Sequence, residues 1–243
     1  MERLVTYDLA LLLVDPAKER FIVDSATLDH ALAAAALIDA VHAGVVSVDL
    51  LAKETKRRLV PALPKAPENP VLALIHGKAD QVKPKRLVFD LGGSTSMRRK
   101  ERSVRDLALH HLEGIGVVTT RKAQQFGAPR APRVKVVDKA RRESVLSAVR
   151  EALVGADAPD PHIAALAVLL RSVDADRKLF KDLDRKLLRR RVAEITEGDW
   201  MRETLSEAVE TAAAAALAAA LEHPAHGHAG GSERHTDATP SRW

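Results

Sequence analysis

The chain contains no cysteine. That excludes a disulfide framework, a zinc–thiolate site and a thiol nucleophile, and it fits a reducing compartment. Aromatic residues make up only 3% of the 243 positions. A core with so few rings is built from Leu, Val, Ile and Ala, which favours closely packed helices over a β-sandwich. Long apolar runs are missing as well. The first, Leu9 to Val14, is flanked by Asp8 and Asp15 and is too short for a signal segment. The weakly apolar Thr211 to Leu221 is mostly Ala and falls short of the ~20 residues of a membrane span.

Hydrophobic residues nevertheless make up 46% of the chain, enough for a core without metal or disulfide staples. The net charge is +5. So small an excess makes the distribution of cations matter more than their sum. A basic patch could serve nucleic acid, a membrane surface or an acidic partner.

Breakers and caps divide the chain. Leu4 to Val14 suits a first helix stopped by Asp15-Pro16, and Lys18 to Val23 a short extended turn. Thr27 to Ala43 is Ala-rich and ends at Gly44, where a helix C′ glycine belongs; Val45 to Val48 then reads as a strand. Asn69-Pro70 and Asp160-Pro161 are helix starts, a capping side chain followed by proline at the first position. Met97 to Leu112 reads as a helix with Val104, Leu107, His111 and, less strictly, Leu112 on one face, closed by Gly114 and Gly116. Val117 to Thr120 and Arg133 to Val137 then suggest a β-hairpin with prolines in its tip. Further helices are expected over Ala140 to Leu153, His162 to Val173, Asp176 to Arg191 and Glu203 to Leu221. The fold class expected is mainly α, a helical bundle with a protruding β-hairpin. An ordered domain would cover 1–222, and the His-, Gly- and Ser-rich stretch 223–243 would be a disordered tail.

Several segments, in order along the chain, resemble the Golgi phosphoprotein 3-like family. Leu9 to Val14 with Asp15 is similar to its "LLLL–D" opening, and Leu37 to Val45 to its "LIELALRGRL" element. Arg102-Ser103-Val104-Arg105, running on to Gly116 through Thr120, resembles "RNVRERL…GVLTT". Pro161-His162 and Arg189 to Val192 resemble "DPH…LLAL…KRV". The resemblance runs from Leu4 to Leu221. It implies a helical bundle with a membrane-directed hairpin, no catalytic role and binding of phosphatidylinositol 4-phosphate. It further implies an adaptor that engages the cytosolic tails of membrane proteins. Two arginines of the family's headgroup pocket fall on Arg102 and Arg105. A third falls on Ala33, and the pocket tryptophan has no counterpart near Phe21 to Asp24. The comparison thus implies binding of anionic phospholipid without selectivity for one phosphoinositide.

The candidate headgroup site is Arg98, Arg102 and Arg105, spaced i, i+4 and i+7 so that they share a face if one helix carries them. Guanidinium forks suit phosphate oxygens. The competing reading is a solvated basic face. The candidate membrane-contact hairpin carries Arg121, Lys122, Phe126, Arg130, Arg133 and Lys135, against the alternative of a mobile charged loop. Arg189 to Arg191 are better explained by pairing with Glu194 or Asp184. No nucleophile–base arrangement, metal cage or cofactor fingerprint stands out, so the chain reads as a non-enzyme without metal or cofactor. Its expected partner is an anionic phospholipid surface, and its expected place is cytoplasmic, on the inner face of a membrane. Ala and Arg enrichment suggests a bacterial source. The alternative is a nucleic-acid-binding regulator with a winged-helix-like unit over Leu107 to Val137, disfavoured by the scarcity of base-stacking aromatics. Oligomeric state is left open.

Overall fold

A computed structural model describes residues 3–48, 58–93, 102–125 and 128–197, with the side chains of 122–131 and 197 excepted. Its first helix, α1 (Val5–Leu12), is buried on every side. An eight-residue helix is marginal in water, so α1 is stable only inside its neighbours. Those neighbours are α2 (Ser25–His42), α5 (Val104–Gly114), α6 (Lys139–Val154) and α7 (Pro161–Ser172). Between α1 and α2 the chain forms a short antiparallel pair, β1 (Val14–Asp15) with β2 (Arg20–Phe21), where the sequence suggested only a turn.

The polar groups enclosed with α1 are matched one by one. Leu4 offers no side-chain cap, and Asp39 of α2 accepts instead from the amides of Val5 and Thr6. The Tyr7 ring stacks on His111 at 4.0 Å, and its hydroxyl accepts a hydrogen bond from Asn69 Nδ2 at 3.0 Å. Asn69 in turn caps α3 (Pro70–Lys78), as its place before proline predicts. That helix ends at Lys78, one residue after Gly77. A second pair, β3 (Val46–Val48) with β4 (Leu59–Pro61), flanks the undescribed 49–57. Helix α4 (Pro84–Gly92) packs on α2, and Gly92 there lies so close to His30 that a Cβ would meet its ring at 2.5 Å.

Three expectations are corrected. Helix α5 is described from Val104, not Met97, because Ser103 and Asp106 form a capping box that starts it there. Its buried face is Val104, Ala108, Leu109 and Leu112, so Val104 and Leu112 are buried as predicted while Leu107 and His111 are only partly so. The hairpin strands β5 (Val118–Gln125) and β6 (Ala128–Val136) are longer than predicted, and Pro129 and Pro132 lie within β6 instead of the tip. A two-stranded ribbon tolerates this because each strand has an edge that needs no donor. Asp176 to Arg191 is not one helix but α8 (Asp176–Leu179) and α9 (Arg185–Glu197); the Asp184 carboxylate accepts from the amides of Lys186 and Leu187 and restarts the chain. The expected helix Glu203 to Leu221 and the tail 223–243 lie outside the described residues. The mainly α fold with a hairpin is as the sequence indicated.

Candidate anion-binding surface

Arg102 and Arg105 do not share a helical face. Arg102 precedes the Ser103 cap, stands exposed, and makes no ion pair among the described residues. Arg105 sits in the first turn of α5 and turns inward onto α2. Its Nε lies 3.1 Å from Asp29 Oδ1 and its Nη2 3.2 Å from Oδ2, with the Ser25 hydroxyl at 3.5 Å. That fork is the two-pronged geometry guanidinium uses for phosphate, here occupied by a carboxylate of the same chain. Ala33, where the resemblance places a further arginine, is fully buried. The retained pair therefore splits into one exposed cation and one internal ion pair. Arg98 lies outside the described residues.

The hairpin presents a cleaner surface. Successive side chains of a strand point to opposite faces. Val118, Val134 and Val136 are buried, whereas Thr119, Arg121, Arg133 and Lys135 are exposed. The register sets Arg121 directly across from Arg133, and Thr119 across from Lys135. Like charges opposite one another on a ladder repel. Among the described residues neither arginine has a carboxylate partner, so the three cations form a strip of uncompensated charge. Lys122 and Arg130 lie on the strands, but only their backbone is described, and Phe126 lies outside the described residues. Arg190 and Arg191 both pair with Glu194, as the sequence suggested, whereas Arg189 is exposed and has no ion pair among the described residues.

Sequence reasoning missed the ionic cluster inside the bundle. Asp8, nearly inaccessible, accepts from His162 Nε2 at 2.9 Å and from Arg141 at 3.2 Å. Burial pushes the Asp8 carboxyl upward, but His162 and Arg141 outweigh it and hold the group below its ordinary value. The only sequence signal was His162 itself, a polar residue at the start of an otherwise apolar helix. Among the described residues no group of three or more His, Asp or Glu side chains could hold a metal ion, and no helix is long and apolar enough to cross a membrane.

Comparison with curated proteins finds no match. The family model for Golgi phosphoprotein 3 (GPP34) matches residues 6–212, a span that takes in α1 through α9 and the hairpin, and the chain belongs to that family.

Proposed function

We propose that the protein is a peripheral membrane protein that binds anionic phospholipid headgroups through the outer face of the β5–β6 hairpin and Arg102. On this reading it acts as a non-enzymatic adaptor at the cytoplasmic face of a membrane, holding the cytosolic tails of membrane proteins. The observation that carries the reading is the opposed pair Arg121 and Arg133, with Lys135 beside them and no carboxylate among the described residues to neutralise them. A folded chain that keeps like charges opposed gains most when an anionic surface covers them. Each cation near such a surface contributes about 1 kcal/mol, so these three give roughly a hundredfold preference for charged over neutral vesicles. The attraction is screened within about 10 Å at moderate salt, which makes binding salt-sensitive.

Membership of the family supports the reading, and the site qualifies its specificity. With Arg105 engaged by Asp29 and alanine at position 33, the headgroup contacts are those of a general anion surface. Phosphatidylinositol 4-phosphate is then bound as one anionic lipid among several.

Liposome flotation over a salt series tests this. The wild type and an Arg121→Glu/Arg133→Glu/Lys135→Glu variant would be compared on neutral, phosphatidylglycerol-rich and phosphatidylinositol 4-phosphate vesicles. Recovery on both charged compositions, lost in the variant and fading with salt, is expected. Equal recovery of wild type and variant would overturn the reading, and a gel shift with duplex DNA would then test the winged-helix alternative.

A further inference from the structure

A second concentration of positive charge lies away from Arg102 and Arg105, in a cavity of about 730 Å³ between the β1–β2 turn, α6 and α8. Five cations line it: Lys18, Arg20, Arg142, Lys178 and Lys181. Asp15 is the one carboxylate in the lining, and it already faces Lys18 at 3.5 Å. Phe21, Leu146 and Leu179 supply an apolar wall.

Arg142 distinguishes this cavity from an ordinary basic surface. It is only 6% exposed. One of its terminal nitrogens donates to the Leu12 carbonyl at 3.3 Å, and the other lies 3.6 Å from Glu143, a mostly exposed residue. Its Nε is buried and has no hydrogen-bond partner. A buried guanidinium with an unmet donor is costly unless an anion completes it. At the rim, Lys178 donates to the Ile22 carbonyl and so holds α8 against the strand that lines the cavity. Arg20 and Lys181 are exposed and have no ion pair among the described residues.

The volume exceeds what an inorganic anion fills, and part of the lining is apolar. We infer that the cavity between the β1–β2 turn, α6 and α8 binds a phosphate monoester, its phosphate on Arg142 and the rim cations and its organic body against Phe21, Leu146 and Leu179. Such a monoester could be a soluble metabolite or the headgroup of a monoester lipid; the chemistry recognised is the same. The site is separate from the hairpin surface. It adjoins it, because the Val134 amide of β6 donates to the Glu19 carbonyl in the β1–β2 turn. Arg20 to Ile22 line the cavity, while Ser25, three residues on, contacts Arg105.

Titration calorimetry with phenyl phosphate, inorganic phosphate and phenol tests the inference in the absence of any membrane. Phenyl phosphate binding at one site per chain, tighter than either fragment, is expected. An Arg20→Gln/Lys181→Gln variant removes two exposed cations without touching the core. It is expected to weaken phenyl phosphate on the order of tenfold. A charge-matched Lys65→Gln/Lys186→Gln control should bind as the wild type does. Arg142→Gln, checked for folding by circular dichroism, should abolish binding. No binding of phenyl phosphate, or equal affinity in the Arg20→Gln/Lys181→Gln variant and its control, would overturn the site. Flotation onto phosphatidate vesicles separates the two sources. Recovery lowered by Arg20→Gln/Lys181→Gln, relative to the control, identifies a lipid headgroup; unchanged recovery with weakened phenyl phosphate identifies a soluble ester. Since the hairpin charge reversal is read by flotation and the cavity by calorimetry, either reading can fail while the other stands.

Discussion

The carboxylate of Asp39 lies 2.6 Å from the hydroxyl of Thr6 and 2.9 Å from its amide, while its other oxygen takes the amide of Val5 at 2.8 Å. A side chain in the last turn of α2 thus does for α1 what a local N-cap does for other helices. It fixes where α1 begins and how it lies against α2. Burial pushes Asp39 up to about 6, against the pull of these same three donors.

That shift gives a pH dependence of definite sign. The folded-state value exceeds the ordinary 3.8, so the folded chain binds the Asp39 proton more tightly than the unfolded chain does. The contribution of Asp39 to stability therefore falls as pH rises from about 4 to about 6, by about 3 kcal/mol, and is flat above. Urea unfolding across this range should show that the Asp39→Asn variant has lost the slope.

Asp8 acts in the opposite sense. Its carboxyl is held below the ordinary value, so its contribution is present above pH ~4 and is lost as pH falls through the lowered value. His162→Ala would leave a buried carboxylate with Arg141 at 3.2 Å and the half-exposed Arg3 at 3.7 Å as its partners. A loss of about 2–3 kcal/mol is expected, seen as a lower urea midpoint at unchanged slope.

On the hairpin, a single substitution should move stability and binding in opposite directions. Arg121→Glu places a carboxylate across from Arg133 and replaces repulsion with attraction, a gain of roughly 0.2–1 kcal/mol in thermal unfolding. The same change should lower recovery on phosphatidylglycerol vesicles severalfold. Recovery equal to the wild type would remove Arg121 from the binding surface.

Asp29 offers the reverse test. Asp29→Asn releases Arg105 from its ion pair and adds a positive charge beside Arg102. Affinity for anionic vesicles should rise by about fivefold, the effect of roughly 1 kcal/mol. A fall in affinity would mean that the pair serves the surface by holding α5 in place.

Gly92→Ala tests the seam between α2 and α4. The added methyl would meet the His30 ring at 2.5 Å and its Cα at 2.7 Å, so the helices themselves must part. A cost of about 1–3 kcal/mol is expected in chemical denaturation.

Local chemistry was what the sequence displayed best. Asn69-Pro70 and Asp160-Pro161 start helices where cap and proline coincide, and Gly116, at φ 75°, ends a helix where only glycine is comfortable. The Ser103–Asp106 capping box is equally local, but it lies inside a stretch that reads as helix on both sides of it, which masks the start it sets. Asp184 was hidden in the same way within the charged run from Asp176 to Arg191. The hairpin cations were legible because a strand exposes alternate residues. Which arginine of Arg102 and Arg105 turns inward was not, because Asp29 lies 76 positions away and nothing local announces it. The cavity was the least legible feature of all: its cations span Lys18 to Lys181 and share no period or motif.

The burial of α1 also has a consequence for the order of events at the ribosome. One of the helices that enclose α1 is made long after it, for Asp8 meets His162 across 154 positions. At roughly 5–20 residues per second, α1 waits on the order of 10–30 s for α7 to emerge. During that interval α2, α5 and α6 can close on it in turn, but the face it turns to α7 has no native cover.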